Sequence, residues 1–114
     1  MTTTRRPDLS LEGDGSAHSG VVLSGVIDLT SSRRLTLIAE DFLRSDHANA
    51  EVDLQGVTFL NSTGLLLLVR LHRTAKARGG RVALLEPSGI CLRTIEHAGL
   101  DEIFETQTQG LSVS

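Results

Sequence analysis

Aromatic side chains are nearly missing: the chain has three Phe, no Tyr and no Trp. Its core must therefore be aliphatic, drawn from Leu, Val, Ile and Ala. The same scarcity argues against binding of single-stranded nucleic acid, whose bases stack on aromatic rings. Cysteine is reduced to Cys91. One thiol cannot close an internal disulfide and makes a poor metal site without neighbouring ligands, which points to a reducing compartment. Long apolar runs are missing too. The longest, Leu65 to Val69, falls far short of the roughly 20 residues that cross a bilayer. The first seven residues carry Arg5 and Arg6 but no apolar segment after them, so no secretory signal is expected and the protein is expected to be cytoplasmic. An excess of positive charge is also lacking. A net charge of −3 gives no global attraction to phosphate backbones or anionic lipid, so neither nucleic acid nor membrane is an expected partner.

What remains is an aliphatic, mixed-charge chain of 114 residues, 39% apolar, enough for one domain with a working core. Residues 1–7 read as a disordered lead, 8–106 as the domain and 107–114 as a loose tail. Asp8 to Glu12 alternates polar and apolar, and Gly20 to Gly25 forms a second short strand. The two are expected to pair as an N-terminal β-hairpin around residues 13–19. Thr30 suits a helix cap, and Leu35, Ile38 and Phe42 recur at helical spacing, predicting a first helix over 31–45. A strand is expected at 51–54 and an apolar second helix over 63–78. That helix ends in Lys76 and Arg78 before Gly79-Gly80, the usual basic last turn and glycine stop. A buried strand over 81–85 and a third helix over 88–98 follow, the helix with Ile90, Leu92, Ile95 and Ala98 inward. A last short strand is expected near 103–106. Alternating strands and helices predict an α/β fold: a mixed, mostly parallel sheet of four to five strands with helices packed on it.

Sites in such sheets form at the carboxyl ends of the strands. Two loops qualify, one with Asp28 and one with Asn61-Ser62-Thr63-Gly64. Ser62 sits where a loop enters the second helix. First-turn N–H groups lack intrahelical partners and carry the positive end of the helix dipole, so a phosphoryl group is well received there. Phosphorylation adds about −1.5 to −2 charges at pH 7. Equally, Asn61, Ser62 or Thr63 can serve only as the helix cap. Asn61-Ser62-Thr63 also fits an N-glycosylation acceptor, which carries no weight without a secretory signal. Of the four Leu in Leu65 to Leu68, not all can face inward on a helix. Leu66 or Leu67 is expected to be exposed beside Ser62, as suits a protein interface.

Other chemistry is poorly supported. His18, His47, His72 and His97 lie on different elements and pair neither with each other nor with Cys91 at ligand spacing, so no metal and no cofactor is expected. Asp53 follows a strand residue as a phosphoacceptor Asp would, but the further carboxylates and Lys of such a site are not in place. Arg33, Arg34, Arg70, Arg73, Lys76, Arg78 and Arg81 form a mild basic concentration. It reads either as a solvated helix face or as a contact patch for an acidic partner. No base–nucleophile pair stands at a plausible spacing, so an enzyme is not expected.

The stretch Val52-Asp53-Leu54-Gln55-Gly56-Val57-Thr58-Phe59-Leu60-Asn61-Ser62-Thr63-Gly64-Leu65 resembles the signature of STAS domains, specifically of bacterial anti-sigma factor antagonists. Three further pieces agree in order: Gly25-Val26-Ile27-Asp28, Ala77-Arg78-Gly79-Gly80-Arg81-Val82 and Ala98-Gly99-Leu100-Asp101-Glu102-Ile103-Phe104. The resemblance implies a protein that binds an anti-sigma factor serine kinase and frees a sigma factor for transcription. Phosphorylation by that kinase releases the antagonist, and a PP2C-like serine phosphatase resets it. It implies Ser62 as the acceptor within the matched Asn61-Ser62-Thr63-Gly64, with Asp28 as the acidic residue beside it; together with Leu65 and Leu66 at the start of the helix, these residues form the expected partner-binding set. The chain departs from the family pattern at Asn61, where Asp is usual, and at Val26, where Glu is frequent. Asn keeps the shape and capping ability of Asp without its charge, which keeps open an alternative. In it the chain is an unphosphorylated STAS scaffold subunit of a transporter or stress-signalling complex.

Overall fold

Residues 2–5 and 18–107 are described by the computed structural model. Alternating buried and half-buried positions in β2 (His18–Ile27) and β3 (Asn49–Leu60) produce strands with one core face. β1 (Thr2–Arg5) lies antiparallel to β2, while β3, β4 (Val82–Leu85) and β5 (Glu105–Gln107) extend the sheet in parallel, in the order β1-β2-β3-β4-β5. Successive parallel strands side by side require crossovers, and these are α1 (Ser32–Arg44), α2 (Ser62–Ala77) and α3 (Gly89–His97). The expected mostly parallel α/β sheet is thus present, with five strands. Right-handed crossovers in a constant direction lay the helices on one face.

The core lies between that face and the helices and is aliphatic as expected. Leu23, Ile27, Val52, Leu54, Val57, Val82 and Leu84 meet Leu35, Ala39 and Phe42 of α1, Leu67, Leu68, Leu71 and Ala75 of α2, and Cys91 and Ile95 of α3. Each fully buried Leu or Ile contributes about 1.5–3 kcal/mol.

Several elements differ from expectation. The first strand of the antiparallel pair is Thr2–Arg5, inside the lead expected to lack structure; the expected strand at residues 8–12 lies outside the described residues. β3 runs through Leu60 rather than stopping at 54. Its far half pairs with β2 alone, from Gly56 opposite Ser24 to Leu60 opposite Ile27. The register of this pair shifts near Ser24 and again between Gly25 and Val26. Gly25 takes φ +83 there, a conformation that costs glycine little. The shift breaks strict alternation, which is why the pattern faded after residue 54. Asp28 rather than Thr30 caps the turn before α1. A short 3-10 turn (Leu29–Ser31) intervenes, with Asp28 accepting from the Thr30 N–H and Ser31 accepting from the Asp28 N–H, a reciprocal capping box. In α3 the inward residues are Cys91 and Ile95, whereas Leu92 and Ala98 are exposed. Gln107, expected in the tail, belongs to β5, and residues 108–114 lie outside the described residues.

Candidate functional site

The ends of β2 and β3 are neighbours: Ile27 pairs with Leu60, and the Asn61 N–H donates to the Ile27 carbonyl at 3.2 Å. The two loops singled out in the sequence therefore leave one sheet edge side by side. Asn61, in extended backbone, accepts from the Thr63 N–H through Oδ1 at 2.9 Å, and its carbonyl takes the Leu65 N–H at 3.1 Å. This caps α2 and leaves Ser62 as the exposed first residue of the helix. Asn61 is thus the cap, and the Ser62 hydroxyl is not consumed by that role.

Gly64 shows how tightly this end is seated. A Cβ placed there would lie 2.2 Å from Leu60 Cδ1 and 3.0 Å from Ile27 Cγ2. Any side chain there would force the Leu60 side chain or the start of α2 to shift. Gly64 is buried and Leu65 is half-buried against the core, so of the expected contact residues Gly64 is covered and Leu65 keeps only part of its surface. Leu66 is the exposed leucine, at 59%, because a helix start resting on Gly64 turns Leu67 and Leu68 inward.

Asp28 lies on the other loop. The Thr30 hydroxyl donates to its Oδ1 at 2.6 Å and the Thr30 N–H at 3.0 Å. These bonds, the hydroxyl first, hold the Asp28 carboxyl below its ordinary value, so it is an anion at neutral pH. Sequence reasoning missed three apolar neighbours. Leu29 is 73% exposed, and Val26 and Phe59, partners in the ladder, are 46% and 44% exposed. Leu29, an apolar residue between Asp28 and Thr30, was a readable signal. Val26 and Phe59 were not, because the register shift decides which way they point.

The other titratable groups lie elsewhere. His47 pairs with the Ser19 hydroxyl at 2.9 Å, His72 packs edge-on against Phe104, and Asp53 accepts from the Gln55 N–H. Cys91 is buried, and burial pushes its thiol up, away from the thiolate that reactive cysteines need. Among the described residues no three His, Cys, Asp or Glu side chains are grouped to hold a metal ion, and no helix is long and apolar enough to cross a membrane.

The site is thus an exposed serine at the head of α2, beside an anionic turn at the carboxyl edge of a mostly parallel sheet. The family model described as "Mlab, STAS domain" matches residues 10–106, and the chain belongs to the STAS-domain family. Solved structures agree. An anti-sigma factor antagonist from Mycobacterium paratuberculosis superposes with TM-score 0.71 at 25% identity, covering 96% of this chain and 88% of that one. The anti-sigma factor antagonist SpoIIAA in its unphosphorylated form gives 0.70 at 21% identity, with 88% of each chain covered. The Bacillus cell fate determinant SpoIIAA in the phosphorylated form gives 0.64 at 20% identity, with 88% and 91% covered. No curated protein matches the chain.

Proposed function

We propose that the protein is an anti-sigma factor antagonist that works by binding and not by catalysis. In this reading it acts in the cytoplasm, binds an anti-sigma factor that is also a serine kinase, and is released when that kinase phosphorylates Ser62. A PP2C-like serine phosphatase returns it to the binding form. The observation that carries this reading is the Ser62 hydroxyl, exposed at the first position of α2 and relieved of capping duty by Asn61. First-turn N–H groups and the helix dipole favour a phosphate there; Leu66, one turn further along the same helix face, and Leu29, on the adjoining loop, are exposed apolar residues. The fold is shared with SpoIIAA, which has been solved in unphosphorylated and phosphorylated forms.

The test is phosphorylation with the cognate kinase and ATP, followed by mapping of the phosphoryl group. Modification of Ser62 is expected, with Ser62→Ala binding the kinase constitutively. Ser62→Glu is expected to bind about 5–150-fold more weakly, the usual range of such couplings. Modification elsewhere, or none by a kinase active on another substrate, overturns the reading.

Asn61 favours a second reading, an unphosphorylated scaffold subunit of a transporter or stress-signalling complex. It lacks the charge that could orient the serine hydroxyl or the kinase's magnesium. Here partner binding is the same in the wild type, Ser62→Ala and Ser62→Glu. Asn61→Asp separates the two: faster phosphorylation of Ser62 supports the switch, and no phosphorylation of either form supports the scaffold.

A further inference from the structure

α2 carries a stripe that begins at the switch serine. Ser62, Leu66, Arg70 and Arg73 follow one another at four, four and three residues, the spacing that keeps side chains on one helical face. All four are exposed. Beside the stripe runs a groove between the first halves of α1 and α2, lined by Ser32, Leu35, Thr36, Thr63, Leu66 and Arg70. Its cavity of about 60 Å³ is far below the roughly 300–1,000 Å³ of small-molecule sites. It has room for the tip of an apolar side chain.

The charge around this groove runs against that of the whole chain. Net charge is −3, yet α2 contains Arg70, Arg73 and Lys76 and no carboxylate. On α1 the groove end holds Arg33 and Arg34. Glu40 and Asp41 come later and face Arg44 at 3.7 and 3.9 Å. Among the described residues Arg33, Arg70 and Arg73 have no ion-pair partner. Both helices also direct their positive dipole ends to this end of the groove.

We propose that the groove seats an acidic amphipathic segment of the partner protein, its apolar side chain between α1 and Leu66 and its carboxylates on Arg70, Arg73 and Arg33. The proposal rests on the reading of Ser62 as the switch and explains its sign. A helix rises about 1.5 Å per residue, which puts Ser62 about 6 Å along the axis from Leu66 and about 12 Å from Arg70. A phosphoserine dianion would therefore sit within about one Debye length, ~8 Å, of the near end of the bound segment. A carboxylate seated toward Leu66 falls within reach of that phosphate, whereas those on Arg70 and Arg73, about 12 Å away and beyond, are largely screened from it.

The test uses two fluorescent helical peptides with the same leucine stripe, one flanked by Glu and the other by Lys, titrated into the full chain at low and high salt. Saturable binding of the Glu peptide alone is expected, weakened by salt. Exposed charge pairs are individually modest, so the double variant R70E/R73E is expected to weaken binding about fivefold or more. Both positions are on the surface, so its circular dichroism should match the wild type. Amide shifts on binding should fall on residues 62–73 and 32–36. Absence of saturable binding, equal binding of both peptides, or indifference to R70E/R73E overturns the docking proposal, even where the kinase modifies Ser62. Binding that depends on Arg70 and Arg73 but is unchanged in Ser62→Glu supports the seat and counts against Ser62 as its release switch.

Discussion

Asn61, Gly64 and Asp28 each hold the two adjoining loops of the site by a different force. Asn61 satisfies a first-turn N–H, so Asn61→Ala is expected to lose about 1 kcal/mol in urea denaturation, while Asn61→Asp, which can accept the same bond, stays near wild type. Gly64 is required by space. Gly64→Ala drives a methyl into Leu60 and Ile27 and is expected to cost about 1–3 kcal/mol; a wild-type midpoint would refute the close approach. Asp28 is held low by Thr30, which fixes the sign of its pH dependence. Its contribution to the turn is full above the unfolded carboxyl value, about 3.9, and fades as pH falls through the lower folded value. An NMR titration of Asp28 and the Thr30 amide should show a midpoint below about 3.9. Thr30→Val should move it upward. The capping role of the Asn61-Ser62-Thr63 group was legible, because Asn, Ser and Thr before an apolar run announce a helix start. That Gly64 and Leu65 turn inward was not, because it depends on where the ends of β2 and β3 sit.

At the scale of elements, one side chain joins two helices. Arg78, expected among the residues of an outer basic face, bends back over the end of α1. Its guanidinium donates to the carbonyls of Phe42, Leu43 and His47 and lies 5.6 Å from the Phe42 ring centroid. Phe42 and Leu43 belong to the last turn of α1, whose carbonyls lack intrahelical donors; the Phe42 carbonyl also takes the Ser45 N–H and hydroxyl, and His47 lies in the loop beyond the helix. Arg78→Met is expected to destabilise by about 1–3 kcal/mol and to speed amide exchange around residues 45–47. Arg78→Lys should recover only part, since an ammonium lacks the planar fork. The stop of α2 was readable: beyond Arg78 the N–H groups of Gly79 and Gly80 return to Lys76 and Ala75, as a glycine pair after a basic turn implies. In α3, Ile95 faces inward as expected, but its companion is Cys91, four residues before it, and not Leu92, three residues before it; either spacing can share the face of Ile95. Nothing local chooses between stripes on a helix of nine residues.

For the molecule as a whole, the single thiol is a reporter. Cys91 is fully buried beneath α3, in the same core cluster that contains the α1 and α2 residues. A thiol reagent should therefore react with native protein only as fast as the core opens, and in denaturant its reactivity should rise along the same curve as loss of helical signal. Early reaction would mean that α3 opens separately from the sheet.

The sequence by itself determined the alternation of strands and helices, the aliphatic core and the serine at the head of the second helix. These follow from local periodicity, capping chemistry and composition, which act within a few residues. Only the tertiary structure decided that β3 continues to Leu60, that Asp28 and Asn61 leave adjacent strand ends, and that Arg78 serves α1. It also decided that Val26 and Phe59 stay on the surface, and that Leu66 rather than Leu67 does. Each of these depends on a strand register or a contact between residues distant along the chain, where packing outweighs local preference.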